Sequence, residues 1–128
     1  MLKGIHHAAI ISSNYSQSKQ FYVDVLGLKV IAENYREARD SWKCDLQLPD
    51  GSQVELFSFP SPPARTSRPE ACGLRHLAFR VSDLDAVVET LRLRGVTTLE
   101  NIRVDEYTGK RFTFFADPDD LPLELYEM

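Results

Sequence analysis

Two segments of the chain carry apolar residues at helical spacing, and shorter segments alternate between apolar and polar residues. The first helical segment follows Asn14, a residue type that commonly caps helices, and ends at Gly27. The residues expected on its buried side are Phe21, Tyr22, Val25 and Leu26. The second follows Asp83 and ends at Gly95. Its apolar face is expected to consist of Leu84, Val87, Val88 and Leu91.

The alternating segments predict strands before and after each helix. In the first half they cover 5–12, 28–35, 42–48 and 53–59. In the second half they cover 74–81, 99–104, 111–116 and 122–127. Each half is therefore predicted to be a strand, a helix and three strands, which gives an α+β fold of two tandem βαβββ modules.

A single offset of 69 residues relates the two halves of the chain. It carries His7 onto His76 and Glu55 onto Glu124, with no gap between the two matches. The further pairs related by this offset are Asn14 with Asp83, and residues 49–51 with residues 118–120. Several matches at one spacing are typical of an internal duplication.

A proline-rich connector separates the two modules. We place module one at 1–59, the connector at 60–73 and module two at 74–128. Four prolines within residues 60–69 favour an extended segment and prevent a helix. Because a module of about 60 residues would have a marginal core by itself, we expect residues 1–128 to form a single domain.

The bulk composition excludes several classes of partner. A formal net charge of −4 and a sequence pI near 5.3 argue against nucleic acid or an anionic membrane. No apolar run approaches the roughly 20 residues that cross a bilayer, and no signal peptide is visible at the N-terminus. The chain is therefore expected to be a cytoplasmic protein whose partner is neither nucleic acid nor a membrane.

Side-chain alternation on the predicted strands brings the duplicated His and Glu to comparable faces. The residues expected to share these faces are Ala9, Ile11, Phe57, Phe59, Ala78, Arg80 and Tyr126. Two imidazoles and two carboxylates suit a divalent ion such as Ni, Zn, Co, Mn or Fe. One His or Glu alone is more often hydrogen-bonded locally, but the repeated set His7, Glu55, His76 and Glu124 favours one metal site.

Several segments together resemble the vicinal oxygen chelate superfamily. They are Ile5-His6-His7-Ala8-Ala9-Ile10, Leu26-Gly27-Leu28, Val54-Glu55-Leu56, Leu74-Arg75-His76-Leu77-Ala78-Phe79 and Leu123-Glu124-Leu125. The chain looks most similar to small bacterial glyoxalase I-like proteins, which share the stretch found here at 35–43. The resemblance implies a cupped, half-barrel mixed sheet with helices on its outer face, and a homodimer. One departure is Asp120, which replaces the usual glycine of the last turn.

By the same resemblance, the expected activity is that of a divalent-metal-dependent lyase or isomerase of the lactoylglutathione lyase type. Such enzymes chelate neighbouring substrate oxygens and transfer a proton through an enediolate-like intermediate. Glu124 is the first choice for the base and Glu55 the second, and Ni or Zn is favoured as the metal. The alternatives are an iron-dependent dioxygenase and a small-molecule binding or resistance protein of the same superfamily.

Candidate substrate contacts rest on residue type and on the aromatic or strand segments beside each residue. Guanidinium groups bind carboxylate or phosphate, and Arg39 and Arg111 are preferred among the basic candidates. The others are Arg36, Lys43, Arg65 and Arg68, and any one of the six taken alone is more often ordinary solvated charge. Phe57 and Trp42 could line an apolar pocket or fill the core. The substrate, a thiol cofactor and the choice between a site within one chain and one across a dimer stay open.

Overall fold

The computed structural model describes all 128 residues and contains eight strands and two α-helices. The elements of the first half are β1 (His7–Ser12), α1 (Tyr15–Gln20), β2 (Lys29–Arg36), β3 (Ser41–Gln47) and β4 (Gln53–Ser58). Those of the second half are β5 (Leu77–Val81), α2 (Leu84–Leu93), β6 (Arg103–Val104), β7 (Arg111–Ala116) and β8 (Pro122–Glu127). The order strand, helix and three strands occurs twice, which confirms the predicted α+β fold.

The chain divides into two compact units, Met1–Ala64 and Arg65–Met128, and each contains one mixed four-stranded sheet. The strand order is β1-β4-β3-β2 in the first unit and β5-β8-β7-β6 in the second. In each sheet one pair is parallel, β1 with β4 and β5 with β8, and the other neighbours are antiparallel. The boundary between the units falls inside the predicted connector.

In the first unit, α1 packs against β4 over an apolar core. Tyr22 is fully buried together with Leu46 and Leu56. The Oδ1 atom of Asn14 accepts a hydrogen bond from the backbone N–H of Gln17, as the predicted cap requires. The second part of the predicted helix, Phe21–Val25, is a π-helical segment. The chain then leaves the helix through Gly27, whose φ of 79° suits glycine.

In the second unit, α2 packs against β8. Leu84, Val88 and Leu91 of the predicted helical face are buried, as are Leu123 and Leu125 of the sheet. The Asp83 carboxylate caps the helix by accepting a hydrogen bond from the backbone N–H of Ala86, at 3.0 Å. No helix of the protein is both long and apolar enough to cross a membrane.

The strand expected at 99–104 is much shorter in the structure, where only Arg103–Val104 is paired as β6. Next to it the Thr98 side chain replaces a backbone partner, since the N–H of Ala116 donates to Thr98 Oγ1 at 3.0 Å. The backbone ladder therefore does not extend along the whole of β7.

The last turn of each module keeps the same backbone conformation despite the change of residue. Gly51 has a φ of 88°, and Asp120, at the equivalent position, has a φ of 63°. Aspartate is among the few residues with a side chain that adopt this left-handed conformation readily. Aspartate at position 120 thus provides the positive φ that glycine provides in the first module.

Candidate functional site

Glu55 lies in the interior of the first sheet, on β4 between β1 and β3. The strand register places Ala9 beside it on one side and Asp45 on the other. Because side chains alternate along strands, His7 projects from the same face as Ala9. Its Nδ1 atom lies 3.5 Å from Glu55 Oε2, and the Glu55 side chain is 13% exposed. The first half of the predicted set therefore forms a His–Glu pair within one unit.

Glu124 occupies the equivalent position on β8 of the second sheet. Its register neighbours are Ala78 on β5 and Phe114 on β7. The Nε2 atom of His76, which lies just before β5, is 3.0 Å from Glu124 Oε2. The imidazole also meets the Phe114 ring edge to face, with ring centroids 5.0 Å apart. The His76 and Glu124 side chains are 27% and 11% exposed. The His7 and Glu55 side chains are 39% and 13% exposed, so the second pair is the more enclosed.

The donor chemistry of both pairs fits a divalent ion. Each offers one imidazole nitrogen and one carboxylate oxygen within one unit, a combination that Zn, Ni, Co, Fe and Mn accept. Small alanines beside both glutamates leave space over the carboxylates. No group of three or more His, Cys, Asp or Glu side chains is assembled as a metal site in the structure.

The two glutamates differ in the side chains that the neighbouring antiparallel strand places beside them, β3 for Glu55 and β7 for Glu124. Lys43 Nζ lies 2.7 Å from Asp45 Oδ1 and 3.8 Å from Glu55 Oε2. The hydrogen bond to Asp45 raises the pKa of Lys43 above its usual value, so the ammonium group stays charged at neutral pH. In the second unit the corresponding positions are Phe112 and Phe114. Glu55 therefore has a cation beside it, whereas Glu124 lies beside aromatic rings.

His6, the histidine that strand alternation assigns to the opposite face, is close to His7 in the structure. The two Nδ1 atoms are 2.9 Å apart, and both residues are exposed. This contact occurs where His6 precedes β1, so regular alternation does not apply to it. The structure thus brings His6 next to His7, although both residues lie at the exposed surface.

The predicted substrate contacts fall into different environments. The Arg39 guanidinium carbon lies 5.6 Å from the centroid of the Phe59 ring. Phe57 stacks on Phe59 on the Glu55 face of the sheet. Trp42 is opposite Tyr35 on the other face, where Tyr15 stacks on it at 5.7 Å.

Arg111 holds together three elements of the second unit. Its guanidinium donates to both carboxylate oxygens of Glu127, at 3.1 and 2.8 Å, and to Asp85 at 2.9 Å. These bonds connect β7 with β8 and with the first turn of α2. They also occupy the Nε and Nη2 donors of Arg111, which a substrate carboxylate or phosphate would otherwise bind.

A cavity of about 360 Å³ in the second unit adjoins the His76–Glu124 pair. Phe114 belongs both to its lining and to the ring contact with His76. Three guanidinium-bearing residues also line it, namely Arg68, Arg75 and Arg103. Arg75 Nη1 is 3.2 Å from His76 Nδ1. Sequence reasoning did not single out Phe114, Arg75 or Arg103, although the 69-residue offset from Asp45 would have led to Phe114.

Comparison with known proteins finds one family model that matches residues 4–125. Its description is glyoxalase/bleomycin resistance protein/dioxygenase superfamily. YaeR, an uncharacterized protein of Escherichia coli (strain K12), is 64% identical over 126 residues, which cover 98% of this chain and 97% of that protein.

Two further comparisons agree with this match. The crystal structure of a glyoxalase family protein from Enterococcus faecalis is 50% identical, covers 98% of both chains and has a TM-score of 0.90. A 2-epi-5-epi-valiolone epimerase from an Actinomyces species is 30% identical over 144 residues, covering 97% of this chain and 79% of the epimerase.

Proposed function

The chain belongs to the glyoxalase/bleomycin resistance protein/dioxygenase superfamily, and from this we propose that it is a divalent-metal-dependent lyase or isomerase of the glyoxalase I type. In this proposal His7, Glu55, His76 and Glu124 hold one ion. Each unit supplies one His–Glu pair, and the second pair comes from the same chain or from a second copy in a homodimer. The substrate is a small molecule with two neighbouring oxygens.

The observation that carries the proposal is the recurrence of the same pair in both units. His7 and Glu55 are 3.5 Å apart, and His76 and Glu124 are 3.0 Å apart, at positions related by the internal duplication. A structural role would require only that each carboxylate be satisfied locally. Equivalent pairs beside equivalent alanines support a shared ligand instead.

A bound divalent ion would supply Lewis acidity to two neighbouring oxygens of the substrate. Members of the superfamily commonly bind such a metal. The protein side chains would orient the substrate and move protons. Glu124 is assigned as the general base, which accepts a proton from the carbon beside the substrate carbonyl. It then returns a proton to the adjacent carbon. The proton has thus moved from one carbon to its neighbour, which is the proton transfer of a lyase or isomerase of the glyoxalase I type.

The surroundings of the two carboxylates support Glu124 over Glu55 as the base. Phe114 and His76 shield Glu124 from water, and no lysine or arginine forms an ion pair with it. The Lys43 ammonium lies 3.8 Å from Glu55 and would restrain that carboxylate. A base must be free to change its partner during turnover, and the neighbours of Glu124 allow this more readily. An epimerase among the relatives supports the isomerase class of reaction.

The most informative test is an activity screen of the full chain with methylglyoxal and several thiols, after loading with Ni, Co, Zn or Mn in turn. We expect turnover with at least one metal, and loss of turnover after treatment with a chelator. Inactivity of metal-loaded protein across the screen would overturn the glyoxalase I assignment. A failure to bind any of the four metals would overturn the metal-dependent proposal as a whole.

A further inference from the structure

We propose that Arg36 and Lys43 form a subsite that binds an anionic group of the ligand, a carboxylate or a phosphate, on the Glu55 face of the first sheet. The proposal rests on the proposed function only in taking this ligand to be the substrate. Anion binding itself can be tested without any metal or turnover.

The Arg36 guanidinium is only partly used by the protein. Its Nη2 atom donates to Ser41 Oγ at 2.9 Å, and Ser41 is fully buried. Its Nε atom is buried and has no hydrogen-bond partner. No carboxylate forms an ion pair with Arg36. Since a buried donor without a partner is costly, and costlier on a charged group, the folded chain leaves the half-buried Arg36 guanidinium incompletely satisfied, which favours an acceptor from outside the chain.

Two aromatic rings fix the plane of the guanidinium. The Arg36 Cζ atom lies 4.9 Å from the centroid of Phe57 and 5.7 Å from that of Phe59. These rings stack on each other, with centroids 6.0 Å apart. A cation held over an aromatic face keeps one orientation. The free edge of Arg36 is therefore already positioned for a planar acceptor, and less side-chain entropy is lost on binding.

Lys43 provides a second cation on the same face. The register places it directly opposite Phe57, the ring beneath Arg36. Lys43 also lies 3.8 Å from Glu55. An anionic group bound here would thus sit beside one of the candidate metal ligands, at a distance suited to one small molecule.

Two of the other basic residues proposed from the sequence, Arg111 and Arg65, are engaged by the protein. Arg111 forms ion pairs with Glu127 and Asp85. Arg65 donates through Nη2 to the backbone carbonyls of Leu74 and Arg75. Arg36 differs from both because a buried donor remains without an acceptor.

The test measures binding of inorganic phosphate and, separately, of succinate to the full chain by calorimetry. Each titration is repeated after treatment with a chelator. The Arg36→Gln variant removes the charge, and Arg36→Lys keeps the charge but loses the planar edge. Arg92→Gln, on the exposed side of α2, is the matched control. In parallel, the Arg36 Nε–H resonance of the wild-type protein is followed by NMR, which needs no variant to fold.

We expect at least one of the two anions to bind before and after the chelator and to shift the Nε–H resonance. Arg36→Gln should weaken that binding by about tenfold or more, since a hydrogen bond to a charged group is among the stronger ones. The affinity of Arg36→Lys for the anion should lie between those of the wild type and Arg36→Gln. The affinity of Arg92→Gln should match that of the wild type. Binding of phosphate would indicate a ligand with a phosphate group, and binding of succinate would indicate a ligand with a carboxylate group. No binding of either anion, binding lost with the metal, or an unmoved Nε–H resonance would overturn the subsite.

Discussion

The Nε2 atom of His76 lies 3.0 Å from Oε2 of Glu124, and the Phe114 ring covers one side of the imidazole. In the first unit the ring that meets the equivalent imidazole, His7, is the polar imidazole of His6, and Lys43 lies close to the Glu55 carboxylate. The two modules thus have the same His and Glu donors, but the side chains around these donors differ. This asymmetry implies different roles for the two carboxylates in the proposed reaction.

Replacing Glu124 by Gln should lower kcat by about 10²–10⁴-fold, the usual contribution of a general base. The amide cannot accept a proton, but it retains the size of the side chain, so the melting temperature should change little. Steady-state kinetics with the metal and thiol found in the activity screen provide the measurement. Glu89→Gln, on the exposed side of α2, is the control and should retain full activity. Activity of Glu124→Gln equal to that of the wild type would remove Glu124 from this role.

Metal affinity should depend on both histidines, although they belong to different units. His7→Ala and His76→Ala should each weaken Zn or Ni binding by more than about tenfold, because even the loss of a group that only hydrogen-bonds to a metal ligand costs about 10–100-fold. Calorimetry on protein first stripped with a chelator measures this. His6→Ala removes the ring that lies 2.9 Å from His7 and should have a smaller effect. If only one of the two substitutions weakened binding, the two pairs would not share an ion.

The strand and helix order and the recurrence of the His–Glu pairs could be predicted from the sequence, because both follow from periodicity. Apolar spacing identified Leu84, Val88 and Leu91, which are buried in α2. Alternation correctly assigned Ala9 and Glu55 to one face, since the register places them side by side. Such patterns require no knowledge of which strands are neighbours.

Contacts between strands could not be predicted in this way. The neighbours of Glu124 are known only once β7 is paired with β8, and that register brings Phe114 beside it. The Arg36 guanidinium lies over the ring of Phe57, which is on a strand not adjacent to its own. Arg111 looked like a substrate contact by residue type, but its partner Asp85 comes from a helix 26 residues away. Contacts between side chains that are far apart in the sequence do not produce a periodic pattern, so the sequence did not predict them.

The two helix caps should contribute comparably to stability, since they occupy equivalent positions of the duplication. Asn14 and Asp83 each accept a hydrogen bond from a backbone N–H three residues later, at 3.1 and 3.0 Å. Asn14→Ala or Asp83→Ala should lower the free energy of unfolding by ~0.5–2 kcal/mol. Urea denaturation is the measurement. Asn14→Asp and Asp83→Asn keep a capping oxygen, and if they were as destabilising as alanine, the caps would not be the cause.

The ion pairs of Arg111 should make part of the stability of the second unit dependent on pH. The hydrogen bonds from Arg111 lower the pKa values of Glu127 and Asp85 below their ordinary values of 4.5 and 3.8. A carboxylate with a lowered pKa in the folded state stabilises the protein above its ordinary pKa. That stabilisation is lost as the pH falls through the folded-state value. The Arg111→Met variant, which keeps much of the apolar side chain, should lack this contribution.

The free energy of unfolding of wild type and Arg111→Met should therefore differ most near neutral pH. The difference should shrink as the pH is lowered from about 7 to about 3, because the carboxylates become protonated in both proteins. Added salt at neutral pH should also reduce it, since these groups are partly exposed and their interaction is screened. Urea denaturation across this pH range is the measurement, with Arg92→Met on the exposed side of α2 as the control. A difference that stayed constant with pH would assign the effect of Arg111 to packing of its side chain rather than to its charge.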